Sequence, residues 1–269
     1  MRSLLELWSY RNLIYNLAQR ELRARYKKSV LGWLWSLINP LSMLAIYSLV
    51  FGVFLGGKAP LAGNGETEVF ALYLFCGLYV WNLFNNIVMG SITALQTSGT
   101  LLNKVYFPPA CPALANAATV VLQAFIEGAI LAVIMIAIGN ASFTFLFFPV
   151  LVVFVTIFAL GIGLVFSVYN AYYRDVGYLV AIAMNLLFYA TPIVYPLSVV
   201  PEKLGGIPMR EIISLNPIAQ FVQWSRDLFY LLQLPSLASI LGVIAVSIVT
   251  FFLGWLIFIR KARNITEEL

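Results

Sequence analysis

From Leu4 to Lys27 the apolar residues Leu4, Leu7, Trp8, Tyr10, Ile14, Leu17, Ala18 and Leu22 recur at helical spacing, with Glu6, Ser9, Asn12, Asn16, Arg20, Arg23 and Lys27 opposite. That pattern predicts an amphipathic helix lying in a membrane interface. It runs without a spacer into the first of six apolar stretches: Val30–Leu55, Val69–Leu95, Ala113–Ile138, Phe143–Tyr169, Val176–Tyr195 and Leu237–Ile259. Each approaches or exceeds the roughly 20 residues that a helix rising about 1.5 Å per residue needs to cross the hydrocarbon. Pro40 falls inside the first stretch and predicts a kink there. The connection from Pro196 to Pro235 is too long for a turn and too apolar for a free loop. Its second half opens on Asn216-Pro217 and carries Ile218, Phe221, Val222, Trp224, Leu228 and Phe229, which predicts one or two short helices that enter the outer leaflet without crossing. A seventh full span is the alternative, made costly by Gln220, Gln223, Arg226 and Asp227.

Composition turns these stretches into a class. Of 269 residues, 62% are hydrophobic and 10% charged, more apolar surface than a soluble core of this size hides. The expected fold is an all-α integral membrane protein with six transmembrane helices, an N-terminal interface helix and short re-entrant external helices before the last span. It forms a single domain: interface helix 1–29, spans one to five 30–195, external helices 196–236, last span 237–259 and tail 260–269. The net charge of +5 suggests nucleic acid only until the positions are read. With the N-terminus cytoplasmic, Arg2, Arg11, Arg20, Arg23, Arg25, Lys27, Lys28, Lys104, Arg174, Arg260, Lys261 and Arg263 lie inside, and only Lys58, Lys203, Arg210 and Arg226 outside. This asymmetry predicts both termini in the cytoplasm and no nucleic-acid partner. The first residues show no uninterrupted apolar run followed by a small-residue cleavage site, so no signal peptide is expected.

Few residues offer chemistry. There is no histidine, and Cys76 and Cys111 lack metal-ligand spacing, so no metal site or disulfide framework is expected. Gly52–Ala59, GVFLGGKA, nearly satisfies the phosphate-loop pattern, but Ala59 cannot ligate magnesium and the preceding segment is a membrane helix rather than a strand. No nucleotide site or cofactor is expected in this chain. Glu127 is the one ionisable residue deep in a span, and with Asn116, Thr119 and Gln123 it forms a polar stripe on the third. A buried stripe bonded to a neighbouring helix is the simpler reading, a proton relay or substrate contact the sharper one. Ala124, Gly128 and Ala132 form a small-residue ladder beside it, suited to close helix packing. Asn82, Asn85 and Asn86, with Asn185 and Tyr189, either line a hydrated path or bond helix to helix. Trp33, Trp35, Tyr47, Phe51, Phe54, Tyr73, Phe75, Tyr79, Trp81, Phe84, Phe188, Tyr189 and Tyr195 either support sugar rings or simply fill core and interfacial belts. Between spans two and three, TSGTLLNKVYFPPACP places Val105, Tyr106 and Phe107 together, more apolar surface than a solvated turn needs.

The ordered set RYKKSVLGWLWSLINP (25–40), LLNKVYFP (101–108), YYRDV (172–176), TPIVYP (191–196) and NPIAQFVQWSRD (216–227) resembles the membrane subunits of bacterial ABC-type polysaccharide exporters, which move O-antigen, capsule, galactan or teichoic acid. The resemblance covers nearly the whole chain. It implies a homodimer in the bacterial inner membrane, paired with two copies of a separate ATPase that carries ATP and Mg, and a polyprenyl-diphosphate-linked glycan as cargo. It places ATPase docking at Arg20, Arg23, Arg25, Tyr26, Leu101, Asn103, Lys104, Tyr106, Phe107 and Pro108, and headgroup capture at Arg25, Lys27 and Lys28. The path falls to the first and fifth spans, hence to Trp33, Trp35, Tyr47, Phe51, Asn185, Phe188, Tyr189 and Tyr195. Tyr173, Arg174, Asp175, Pro192, Pro196, Asn216 and Pro217 are motif positions of a structural kind. One departure is Pro109, where many relatives carry a basic residue. Three other classes are weighed against this one. A proton-coupled transporter through Glu127 lacks an inverted repeat and a second intramembrane charge. A membrane transferase lacks a catalytic cluster. A drug or lipid exporter of the same superfamily differs in cargo alone.

Overall fold

The computed structural model describes residues 4–27, 32–54, 56–102, 104–203, 205–262 and 265, and every regular element among them is helical. In chain order these are α1 (Leu4–Ser9), α2 (Arg11–Tyr26), α3 (Trp35–Tyr47), α4 (Phe70–Thr97), α5 (Gly99–Leu102), α6 (Cys111–Ala137), α7 (Phe148–Tyr172), α8 (Asp175–Ala190), α9 (Met209–Ser214), α10 (Pro217–Phe229) and α11 (Leu237–Lys261). Their starts follow local chemistry. Asn216 accepts a hydrogen bond from the Ile218 amide with Pro217 behind it, Ser236 does the same for the Ser239 amide, and Pro112 sits in the first turn of α6.

α4 is the hub. It packs against α6 and α7 along its length, against α10 at one end, and against α3 and α8 at one edge, while α11 packs on the far side of α7. Leu74, Cys76, Val80, Ile87 and Val88 of α4 are wholly buried, and Leu151, Val155 and Leu164 of α7 complete the seam. α7 and α11 meet at Gly161 and Gly254. A methyl group on Gly254 would land on the Gly161 carbonyl oxygen, so the absence of both side chains sets how closely the two backbones approach. On α6, Ala124 is buried and Gly128 lies against the Phe148 ring, so the predicted ladder is used, though the tightest contact is elsewhere.

Four helices among the described residues, Phe70–Thr97, Cys111–Ala137, Phe143–Tyr172 and Leu237–Lys261, are long and apolar enough to cross a membrane. The first and fifth predicted spans are shorter as regular helices. α3 runs through residue 40 without a break, and its helical bonding changes only at Ser48–Phe54, which winds as a π-helix. α8 has 16 residues, about 24 Å at 1.5 Å per residue, and stops five residues before the expected Tyr195. Pro192 is the reason: it forces Thr191 out of the helical region, to φ −97° and ψ 138°. Thr191–Val194 is instead folded into the core. The predicted helix at Leu4–Lys27 is two helices, with a hitch at Tyr10.

Candidate functional site

Three regions carry the residues that the sequence singles out. The first is the end of the bundle where α1 and α2 dock. Leu7, Leu17 and Ala18 are buried there against Leu95, Leu102, Phe107, Ala113, Leu164, Val168 and Phe258. The apolar stripe is therefore present, but it packs on the end of the bundle, and Trp8 faces away and is exposed. The opposite face of α2 presents Arg20, Arg23 and Lys27, all exposed. A cleft of about 390 Å³ lies among Asn16, Gln19, Arg20, Arg23 and Lys27. A second, of about 410 Å³, lies between α2 and the ends of α4 and α6, lined by Arg20, Glu21, Thr93, Thr97, Ser98 and Asn116. Lys28 and Asn103 lie outside the described residues, as do the side chains of Arg25, Tyr26 and Trp33.

The connection that follows α5 splits its residues between two tasks. Lys104, Val105 and Tyr106 are exposed, Tyr106 to 65%. Phe107 and Pro108 turn inward, and Phe107 is 3% exposed beneath the N-terminal helices. Leu101 is half-buried beside it. The outward surface is thus 104–106, whereas Phe107, expected to touch a partner, is a wedge that fixes the loop. The other corner at this end, between α7 and α8, is tight. Val176 donates to the Tyr173 carbonyl, and Asn170 Oδ1 accepts from the Gly177 amide at 2.7 Å, satisfying the α8 start from a distance. Tyr173, Arg174 and Asp175 stand exposed at this corner.

The second region is the shared face of α3 and α8. Tyr47 stacks on Phe188 with centroids 6.0 Å apart, and Phe188 also meets Trp81 at 5.3 Å. Phe188, expected on a path, is buried core. Trp35, Asn185 and Tyr189 are exposed, while Phe51 and Tyr195 are half-buried. On α8 the exposed residues Tyr178, Ile182, Asn185, Leu186 and Tyr189 form one stripe that mixes apolar groups with hydroxyl and amide edges.

The third region is the opposite end, where α10 is inserted between α4, α7 and the start of α11. Thr144 donates to the Leu228 carbonyl at 2.7 Å, and Trp224 Nε1 donates to Ser239 Oγ at 3.1 Å. Asn140, fully buried, donates to the carbonyls of Phe229 at 3.0 Å and Tyr230 at 3.1 Å and accepts from the Asn64 amide at 3.0 Å. It thereby ties the 56–68 connection to the end of α10. Tyr230 donates its hydroxyl to the Pro60 carbonyl at 2.9 Å, and burial pushes that phenol up to about 12, so it remains a donor. Outside this knot, Arg210 pairs with Glu202 at 3.2 Å and donates to the Val200 carbonyl, pinning α9 to the turn after Pro196.

Within the spans, Glu127 is buried and accepts from Gln123 Nε2 at 2.8 Å, and Asn116 Nδ2 donates to the Asn86 carbonyl of α4 at 3.4 Å. The stripe on α6 faces α4, the simpler of its two readings. Asn82 and Asn85 are half-buried, and Asn86 is exposed. What the sequence did not announce is Arg226. Counted among outside charges, it is 1% exposed in the core over the Tyr73 ring. The alternation of Phe221, Val222, Trp224, Ser225, Leu228 and Phe229 around it was the available sign that α10 is buried on most sides.

The family model described as ABC-2 type transporter matches residues 12–230. The chain is similar to an O-antigen export system permease protein, RfbA, of Myxococcus xanthus, at 29% identity over 100% of both chains. It is also similar to the protein of that title from Klebsiella pneumoniae, at 28% identity over 81% of this chain and 80% of the other. A third relative is the polysialic acid transport protein KpsM of Escherichia coli, at 25% identity over 87% and 88%.

Proposed function

The chain belongs to the ABC-2 type transporter membrane family, and from that premise we propose that it is the channel-forming subunit of an ATP-driven exporter of polyprenyl-diphosphate-linked polysaccharide. The observation that carries this reading is the end-to-end similarity to an O-antigen export permease. The exporter is a homodimer in the bacterial inner membrane with both termini cytoplasmic, each subunit crossing six times. α3 with its π-helical end and α8 with the bend after it supply the two shorter crossings. Two copies of a separate ATPase carry ATP and Mg.

The residues divide the work as follows. Tyr106, with Val105 and Lys104, and the basic face of α2 at Arg20 and Arg23 receive the ATPase. Arg25, Lys27 and Lys28 draw in the diphosphate headgroup, whose charge a basic surface attracts over about a Debye length. Nucleotide binding by the partner pushes on these elements and, through them, on α4, α6 and α8, so that the faces carrying Trp35, Asn185 and Tyr189 in the two copies part. Sugars slide over aromatic faces and hydroxyl edges by many weak contacts, since conduction requires binding that is favourable yet multi-site. α9 and α10 shape the outer gate.

The test is to purify the chain from its native membrane and identify what accompanies it. An ATPase in near-equal amount, together with lipid-linked glycan accumulating on the cytoplasmic side when the chain is depleted, is the expected result. A chain that remains alone after crosslinking of intact membranes, with no glycan accumulating on depletion, overturns the reading.

A further inference from the structure

Arg226 has no task in the scheme above, yet it occupies the most demanding position in the molecule. Its Nη1 donates to the Pro192 carbonyl at 2.8 Å and its Nη2 to the Ile193 carbonyl at 2.7 Å. Its Cζ lies 3.9 Å from the centroid of the Tyr73 ring. It makes no ion pair among the described residues. Asp227, next in the chain, accepts instead from Gln223 and Gln233. Room for the fork comes from Gly77 of α4, where a methyl group would lie 3.3 Å from Nη2 and 3.2 Å from the Ile193 oxygen.

A buried cation that feels its neighbouring carboxylate, Asp227, only through space and makes no contact pair with it is a poor way to hold two helices together, because an apolar side chain of similar volume usually packs at lower cost. What the guanidinium supplies and a hydrocarbon does not is a rigid pair of donors. The two carbonyls need them. They lie beyond the end of α8, in the buried bend that Pro192 creates, with no helix of their own to bond. A second tie runs parallel, with Asn216 at the start of α10 donating Nδ2 to Thr191 Oγ1 at 3.0 Å. The bend at the end of α8 is thus held by the first and the last turn of α10, two points on one rigid helix.

We propose that Arg226 is a positioning residue that makes the end of α8 and the re-entrant helix α10 a single moving unit, so that displacement of α8 carries the outer gate with it. This rests on the reading of α8 as path-lining and of α10 as gate. Tyr73 of α4 supports the guanidinium from beneath, its ring face 3.9 Å from Cζ and its phenol interacting with the same group.

The experiment uses the assembled complex with its ATPase and two readouts. Nitroxides are placed at Leu186→Cys on α8 and Leu215→Cys before α10, both exposed, while the native Cys76 and Cys111 are buried. Unlabelled chain is kept in excess, and the pair distance is measured with and without nucleotide. In the otherwise unsubstituted chain the distance remains single and narrow in both states. In Arg226→Met it becomes broad or splits, and in Arg226→Lys, which keeps charge without the fork, it does so partly. In proteoliposomes, glycan exported per ATP falls by about tenfold in Arg226→Met while ATP hydrolysis persists, as expected when coupling between elements is lost. A merely structural role would lower export and hydrolysis together, in proportion to folded complex. If Arg226→Met is not recovered folded, Arg226→Lys with Asn216→Ala carries the same readouts. A narrow, unchanged distance with undiminished export per ATP in the recovered variants overturns the proposal. If the unsubstituted complex exports no glycan, the cargo reading fails, and the distance measurement alone decides the latch.

Discussion

Replacing Asn140 with Ala removes one side chain and four hydrogen bonds, the weakest of them to Met135 Sδ, and the structure says how much of that loss is uncompensated. The Tyr230 carbonyl keeps the Gly63 amide at 2.8 Å, and the Asn64 amide is only part-buried, so water reaches it. The Phe229 carbonyl loses the Asn140 donor in a buried place. Net bonds worth about 1 kcal/mol each, plus a buried acceptor left without that donor, give about 2 kcal/mol for opening the 56–68 connection. That is about thirtyfold in the local opening constant. Lys58 is exposed while Ala59 after it is buried, so trypsin cleaves between them only in the opened form. Initial cleavage rates in detergent-purified protein report the open population when reclosing is fast. Asn140→Asp is the sharper variant. It is isosteric and still accepts from the Asn64 amide, but it sets a carboxylate against two carbonyl oxygens, so it opens the connection more than Ala does. An Ala rate within about twofold of the unsubstituted chain, the range of a neutral surface change, or an Asp variant milder than Ala, refutes the reasoning.

Gly254→Ala places a methyl group on the Gly161 carbonyl and must push α7 and α11 apart, lowering stability by about 1–3 kcal/mol, whereas Gly242→Ala, which meets open space, leaves the thermal midpoint unchanged. Phe107→Ala opens a cavity under α1 and α2 and costs about 3–5 kcal/mol in unfolding experiments, while Tyr106→Ala, at an exposed side chain, costs far less and reduces co-purified ATPase. Glu127→Gln keeps an acceptor for Gln123 and leaves export and its pH profile unchanged; abolished export with intact folding would restore the proton-relay reading.

The long hydrophobic runs made α4, α6, α7 and α11 legible to within about two or three residues at most ends, because a membrane-length apolar run leaves a helix no competitor. The polar stripe on α6 was legible too, and so was the apolar face of α1 and α2, since periodicity alone fixes which face is apolar, but not that this face packs on the bundle end. The ends of α3 and α8 were not. Apolarity continues past them, and what stops α8 is the restriction that Pro192 places on Thr191, a local steric rule that a hydropathy run conceals. Phe107 and Phe188 were misplaced for a related reason: an aromatic residue in an exposed motif and one in a core look identical until the neighbours are known. Arg226 was hardest, because its partners, Tyr73, Pro192 and Ile193, are remote in sequence and two of the three contribute only carbonyl oxygens.

The burial of α4 bears on how the chain is made. Most of its length is covered by protein in the finished fold, and of the four long helices it is the least apolar, carrying Asn82, Asn85 and Asn86 besides its aromatic residues. A helix of this kind gains less from lipid alone than the other three long helices. Yet it emerges from the ribosome before α6, α7 and α10, the helices that shelter it. During synthesis the hub must therefore wait beside the insertion machinery until its cover arrives. A delay or slip in that wait would strand the protein before its last and least buried long helix is even translated.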